Sequence, residues 1–415
     1  NDSIEIKINI FEGEKKLVEK ITITGNTVTD ESVIRAELLL DEGDPFNNLK
    51  LTQSIARLKG RNLFGVIKNK ITDGSNKDQK KIKIEVEEKP TGEISAGAGI
   101  GTNGGSFSFN VSENNWLGKG INVSTNVDIS AETFQGGLAF TDPNYNYSGN
   151  SLTYFISNTT NERKDSGFKN NIITTGIGSR FEQYRNIYIA PNLSYSYDDL
   201  KIKTTTSDSL KKQKGTFHDL SVDYSVTLDK RDKVYAPTDG YISSFAQAVP
   251  IYADSPYIKN AYSFSKYQSF TKNTIGTFKY HASAVNGLDD KDVRISKRNK
   301  LSVNRLRGFK SGKIGPKDGN DYVGGNYAMS SNFELNLPNF LPEATKTDVG
   351  LFLDFGNLWG IDYGGIDNSN KIRSTAGINT SWFSPVGPMS FILSQNLSKA
   401  DTDVTESFNF RLGTT

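Results

Sequence analysis

Cysteine is absent from the 415 residues, so neither a disulfide framework nor a thiolate metal site can be built. Histidine occurs only twice, at His218 and His281, far apart and in strand-like surroundings. Two single histidines, satisfied or exposed, are expected, not a metal or catalytic pair. Neither sign of charge dominates: 49 Lys and Arg stand against 47 Asp and Glu, a net +2 that gives no bulk attraction for nucleic acid. No run of about 18 apolar residues exists, which excludes a transmembrane helix. It leaves open a membrane barrel, whose strands need only about 9–11 residues with every second one apolar. No secretory leader is visible. The chain opens Asn1-Asp2-Ser3 and runs straight into Ile4, Ile6, Ile8 and Ile10, as a fragment of something longer would.

What is abundant is glycine (38), tyrosine (18) and phenylalanine (24), within a hydrophobic content of only 35%. That mix suits many short strands and turns. The first ninety residues are mixed. Residues 4–10 alternate as a half-buried strand, and Leu17 to Thr24 form a second, closed by Gly25-Asn26. Thr29 or Asp30 then caps a helix with Val33, Ile34 and Leu38 as its apolar stripe. Gly43-Asp44-Pro45 breaks the chain, and a second helix runs from about Leu49 to Leu63 on Leu51, Ile55 and Leu58. Strands follow near Val66–Ile71 and Ile82–Val86. The division expected is 1–12 as the last strand of a preceding module, 13–90 as one small α+β module of order βααββ, and 91–415 as a single β array.

In that array the alternation persists without a convincing helix. Gly99, Gly101 and Gly104 match G-x-G-x-x-G, but such a motif must open a helix, and Phe107, Phe109 and Val111 continue as a strand, so a hairpin turn is expected. Strands are placed near 92–101, 104–113, 119–130, 132–141, 150–158, 168–181, 185–199, 217–229, 240–249, 261–271, 274–286, 324–337, 347–359, 371–383, 387–397 and 406–415. The total of about 16 falls among the even numbers of antiparallel outer-membrane barrels. A closed sheet removes the edge problem and keeps one face polar around a wet lumen. Trp116, Tyr145, Tyr147, Trp359 and Trp382 lie near strand ends, as interfacial girdles do. The fold class expected is mostly β: a 16-stranded antiparallel transmembrane β-barrel preceded by one small α+β module.

One stretch, Arg305 to Pro316, is too rich in glycine and charge for a strand. Downstream, Glu334 shares a face with Asn332 and Asn336, and Asp354 shares one with Phe352. With the apolar faces on lipid, Glu334 and Asp354 point inward, where a loop near 288–323 carrying Arg307 can meet both. Arg307-Gly308-Phe309, Ile314-Gly315-Pro316 and Gly324-Gly325-Asn326 together resemble the lumen loop of the bacterial outer-membrane protein assembly family, the BamA family. The early turns Asn114 to Gly120 and Thr141-Asp142-Pro143, the central Leu228 to Gly240, Asp354-Phe355-Gly356 with Trp359, and Ser384 to Pro388 are similar to further motifs of that family. Ile21 to Asn26, Arg57-Leu58 with Leu63-Phe64, and Val86 to Lys89 resemble its polypeptide-transport-associated (POTRA) module. The sequence departs from the pattern upstream of Arg307, where no Gly-Gly pair occurs, and between Pro316 and Gly324, which is short. Similar proteins also end on one more aromatic than Phe408 to Thr415 supplies, which implies a missing terminal residue or an unusual terminal signal.

The resemblance implies an insertase that folds β-barrel proteins into the outer membrane of Gram-negative bacteria, with its POTRA module in the periplasm. It implies a lateral seam between the first strand, with Gly92, Gly97, Gly99 and Gly101, and the last, with Phe408, Phe410, Leu412 and Gly413. Glycine weakens a strand, and an opened seam can template a client strand. Unfolded barrel clients, outer-membrane lipids and accessory lipoproteins at the POTRA region are the implied partners. Alternatives are a two-partner-secretion transporter passing an extended chain through the lumen, a passive porin, and a soluble sandwich or adhesin. The Arg307 cluster reads either as a participant in insertion or as a barrel-stiffening element. The edges of the module's sheet read either as a solvated face or as an acceptor for a client strand. No enzyme, metal or cofactor is expected: no nucleophile elbow or phosphate loop occurs, and Asp289-Asp290 and Asp401 with Asp403 read as exposed turns.

Overall fold

The computed structural model describes residues 14–203, 207–337, 341, 347–364, 366, 370–384 and 387–413. The strand expected over 1–12, the pair Pro385-Val386 and the final Thr414-Thr415 lie outside the described residues.

The chain divides into two compact units, one of residues up to Glu93 with Ser112–Val123 and Asp142–Gly149, the other of the remainder. In the first, β1 (Leu17–Thr24), α1 (Glu31–Arg35), α2 (Asn48–Gly60), β2 (Phe64–Asp73) and β3 (Gln79–Glu88) form a module in the expected order. Its sheet order is β1-β3-β2, with β1 and β3 parallel and β2 and β3 antiparallel. Ile82, Ile84 and Val86 alternate along β3 and, with Val18 and Ile21 of β1 either side of a bulge, close over Ile34, Leu51 and Leu58 of the helices. Burying such side chains is the main stabilising term for so small a core. α1 is shorter than its apolar stripe suggests. Asp30 is its N-cap, yet its side chain makes no capping bond. The Thr29 hydroxyl is engaged elsewhere, accepting from Asn115 Nδ2 at 2.9 Å. α2 is capped by Asn47, whose side chain accepts from the N–H groups of Leu49 and Lys50.

The remaining strands are β4 (Gly92–Gly101), β5 (Gly104–Trp116), β6 (Ile121–Ser130), β7 (Thr133–Tyr145), β8 (Asn150–Arg163), β9 (Phe168–Tyr184), β10 (Ile187–Ile202), β11 (Gly215–Asp229), β12 (Gly240–Ala253), β13 (Tyr257–Thr271) and β14 (Thr274–Gly287). After a small hairpin, β15 (Lys317–Asp318) and β16 (Asp321–Tyr322), come β17 (Tyr327–Leu337), β18 (Thr347–Trp359), β19 (Arg373–Ser384), β20 (Gly387–Ser398) and β21 (Phe408–Gly413). A short α3 (Asp208–Lys211) lies between β10 and β11. All but β15 and β16 close into one 16-stranded barrel in which β21 meets β4. The G-x-G-x-x-G match is the β4–β5 turn.

Burial runs opposite to that of a soluble sheet. Ile173, Ile177, Leu193, Val222, Phe333, Leu351 and Ile378 are exposed, while the facing Asn170, Ser194, Asp198, Ser330, Asn332, Asp354 and Thr375 are buried. An apolar outside around a polar, bonded inside is the pattern of a sheet solvated by lipid. Trp116, Tyr145, Tyr147 and Trp382 are exposed at strand ends, and Trp359 packs on Tyr327.

Three strand ends differ from the sequence reading for identifiable reasons. Asn186 takes φ 66, so the turn consumes residues 185–186. Gly324 takes φ 74 and Gly325 pairs with Asn299, which delays β17 to Tyr327. Glu406 donates its N–H to the Gly308 carbonyl, which keeps it out of β21.

Candidate functional site

The connection from β14 to β17 folds into the barrel. Arg307 donates from its backbone N–H (3.1 Å) and Nε (2.7 Å) to Asp354 Oδ2, and from Nη2 to Asp354 Oδ1 at 2.7 Å. Its Nη1 reaches Glu334 Oε2 at 3.0 Å. Glu334 also accepts from Asn379 Nδ2, and the guanidinium lies 3.7 Å from the centre of the Phe352 ring. Asp354 is fully buried and Arg307 is 7% exposed. Burial by itself lowers the Arg307 pKa, but the two carboxylates outweigh it and raise the value, so the charge is held. The register explains the meeting: β17 and β18 are antiparallel neighbours with Asn332 opposite Asp354 and Glu334 opposite Phe352.

The rest of the motif fixes the loop. Gly308 takes φ 82, and a Cβ there would sit 2.7 Å from Thr375 Oγ1, so only glycine lets the backbone approach β19. Phe309 pairs with Thr405, and the Lys310 N–H donates to the Val404 carbonyl at 2.9 Å. Phe309 and Ile314 join Leu301, Leu306, Ala328 and Leu358 in a buried cluster. Gly315 (φ 86) lies against Leu358, and the Pro316 carbonyl accepts from the Val323 N–H.

Sequence reasoning missed two further networks. Arg373 bonds Asp403 in a bidentate pair (2.8 and 2.9 Å) with both side chains fully buried, so Asp403 is not the exposed turn carboxylate expected. Asp289 and Asp290 are a turn, at φ 55 and 54. On the far wall, Arg294 of the loop pairs with Asp219 of β11, Lys297 reaches Asp219 at 3.2 Å, and Ser296 donates to Asp198 of β10. The partners in this second network are 75 residues apart or more, one on the loop and one on a strand, and Arg373 and Asp403 are 30 apart, so no local spacing announces them. The histidines serve singly, His218 against Tyr195 and His281 against Ser263.

Of the seam residues, the structure brings together Gly99 with Gly413, Ile100 with Leu412, and Gly101 with Arg411. Phe408 and Phe410 stack on the outer face at 6.1 Å and pair with β20. Gly92 and Gly97 have no described partner on β21. The seam has three described register pairs, against fourteen between β10 and β11. Two of the paired seam glycines lie against backbone: a Cβ on Gly101 would run into the Phe410 carbonyl, and one on Gly413 into that of Ala98.

A closed barrel with a bonded lumen loop and a βααββ module defines a class. The Omp85 superfamily domain matches residues 115–415, and a POTRA model, described as a surface antigen variable number repeat, matches residues 17–89. The chain belongs to the Omp85 superfamily. Within it, the chain is 24% identical over 99% of its length to the outer membrane protein assembly factor BamA of Neorickettsia risticii, covering 56% of that protein. Its fold matches the crystal structure of BamA from Haemophilus ducreyi lacking POTRA domains 1–3, with TM-score 0.85 and 23% identity over 97% of this chain and 85% of that one. CdiB from Escherichia coli superposes less well, at TM-score 0.62 and 14% identity over 96% of this chain and 76% of that one. The chain spans about half the length of the curated relatives it matches.

Proposed function

We propose that this chain is the membrane-embedded part of an insertase that folds and inserts β-barrel proteins into the bacterial outer membrane through the lateral seam between β4 and β21. The observation that carries this is the seam itself. Ladder hydrogen bonds hold a barrel shut, and the three described pairs of the seam are fewer than the five that join β21 to β20 and the nine that join β12 to β13. Opening exposes unpaired N–H and C=O groups on two strands, a template for an incoming client strand. The lumen is the less suitable route, because the loop is bonded to β10 and β11 on one side and to β17, β18 and β20 on the other.

The clients are unfolded outer-membrane barrels and the medium is outer-membrane lipid. The module, 13–90, stands in the periplasm and receives accessory lipoproteins. The barrel, 91–415, carries the lumen loop near 288–323, and the Arg307 cluster holds that loop. No nucleic acid, metal or cofactor takes part.

The test is a lock. Ile100→Cys with Leu412→Cys places two cysteines on opposed residues, within reach of a disulfide, in a chain with no native cysteine. Reconstituted protein should fold clients when reduced and stop when oxidised. Full activity with the disulfide formed would overturn the lateral route.

A further inference from the structure

The outer wall of the barrel holds one feature that insertion through the seam does not use. On β13, β14, β17 and β18 an apolar hollow of about 620 Å³ is lined by Phe270, Gly276, Phe278, Phe333, Leu335 and Leu351. The register places these side chains on the lipid-facing side: Phe278 opposes Phe333, Gly276 opposes Leu335, and Leu335 opposes Leu351. A run of rings, Tyr241–Phe264–Phe278–Phe333–Phe355, crosses the wall with centroids 4.8 to 6.4 Å apart and bounds the hollow along one side. On the side of the β13–β14 turn, Leu335 and Leu351 are shorter, and the Phe270 ring folds over Gly276.

Lys266 borders this hollow on the same face, opposite Phe278, where alternation calls for an apolar residue. Among the described residues its side chain makes no ion pair or hydrogen bond. Lys230 follows two strands away, its Nζ 5.9 Å from the centre of the Tyr241 ring, and Tyr241 opposes Lys266. At the strand spacing of a sheet the two lysines stand roughly 10 Å apart across the wall. The neighbouring carboxylates are committed: Asp239 accepts from the Ser269 N–H and the Gln268 amide, and Asp229 is bidentate to Arg231. In the adjoining turn Val234 and Tyr235 are 80% and 90% exposed, an apolar pair with no protein cover.

We propose that this wall holds one anionic phospholipid of the leaflet nearest the β11–β12 and β13–β14 turns, with its phosphate between Lys230 and Lys266 and an acyl chain in the hollow. Val234 and Tyr235 dip into the headgroup layer beside it. A lysine among lipid-facing side chains is costly unless it reaches an anion at the interface, and its stem is long enough to do so. An apolar hollow beside two cations, with no free carboxylate on their face among the described residues, has the charge and shape of a phosphate bearing a hydrocarbon tail. The inference rests on the reading of the outward face as lipid-facing.

The test uses the full chain with Leu351→Trp as a reporter, refolded into phosphatidylcholine vesicles containing brominated phosphatidylglycerol or brominated phosphatidylcholine. Signal from the three native tryptophans is subtracted with the parent protein. Quenching should favour the anionic lipid roughly fivefold per lysine engaged. The preference should vanish in Lys230→Gln with Lys266→Gln, while heat-modifiable mobility shows that the variant is folded. Equal quenching by the two lipids, or a preference unchanged in the double variant, overturns the lipid site. Displacement by millimolar inorganic phosphate would identify a soluble anion as the ligand and overturn it too. Failure of the protein to float with vesicles would instead overturn the membrane reading beneath it.

Discussion

A single guanidinium fastens the lumen loop to two strands, and what it does follows from burial. Asp354 has no solvent to fall back on, so removing Arg307 leaves an uncompensated carboxylate inside the barrel. Arg307→Ala should cost about 3–5 kcal/mol, read as a lower temperature for loss of the folded band in heat-modifiable electrophoresis. Arg307→Lys should recover little, because an ammonium cannot make the paired bonds to Asp354. Wild-type heat resistance in both variants would show that the cluster does not hold the barrel. In the module, Glu88 does a similar task in the open. Burial alone would raise its carboxyl, but hydrogen bonds from Thr27, Thr29 and Val28 bring it down to about 2, from an ordinary 4.5. The folded value is depressed, so its contribution is whole above about pH 4.5 and drains away as pH falls toward 2. Comparing thermal unfolding of the module at pH 6 and pH 3 should show a larger loss for wild type than for Glu88→Gln; equal losses would remove Glu88 from the pH response.

Among the elements, β4 and β21 stand apart. The outward face of β4 offers only Ile94, Ala96, Ala98 and Ile100, a thin apolar stripe, and its partner has six described residues. Gly101→Val should push the strands apart, because the new side chain meets the Phe410 carbonyl. The disulfide yield between Ile100→Cys and Leu412→Cys should then fall; an undiminished yield would mean that the seam tolerates bulk. Elements were also where the sequence was most readable. Period-two alternation located every barrel strand, because each has one face in lipid and one in the lumen and both pressures act on the same residues. Boundaries were less readable, since Asn186, Gly324 and Glu406 are taken out of their strands by turn geometry or by the loop. The Arg307 trio was legible because a glycine-rich loop stands near two strands with inward carboxylates. Arg373–Asp403 and Arg294–Asp219 were not, because their pairing depends on how the loops cross the barrel.

For the whole molecule, stability should vary around the ring. Amide hydrogen exchange in lipid or detergent should be fastest for β4 and β21 and slowest for β10 and β11, where fourteen described pairs join the strands. Uniform protection would rule out a weak joint. The lumen loop adds an asymmetry. Phe309 pairs with Thr405, Lys310 with Val404, and the Gly308 carbonyl takes bonds from Glu406 and Asn396, so the chain is anchored just before β21 begins. The last residues of β5 and β7 are bonded to the small N-terminal module, through Asn115 to Thr29 and Asn144 to the Ala36 carbonyl. A door has one jamb and one leaf. Here the jamb is β20 and β21, pinned to the loop inside, and the leaf across the seam is β4, held to β21 by three described pairs.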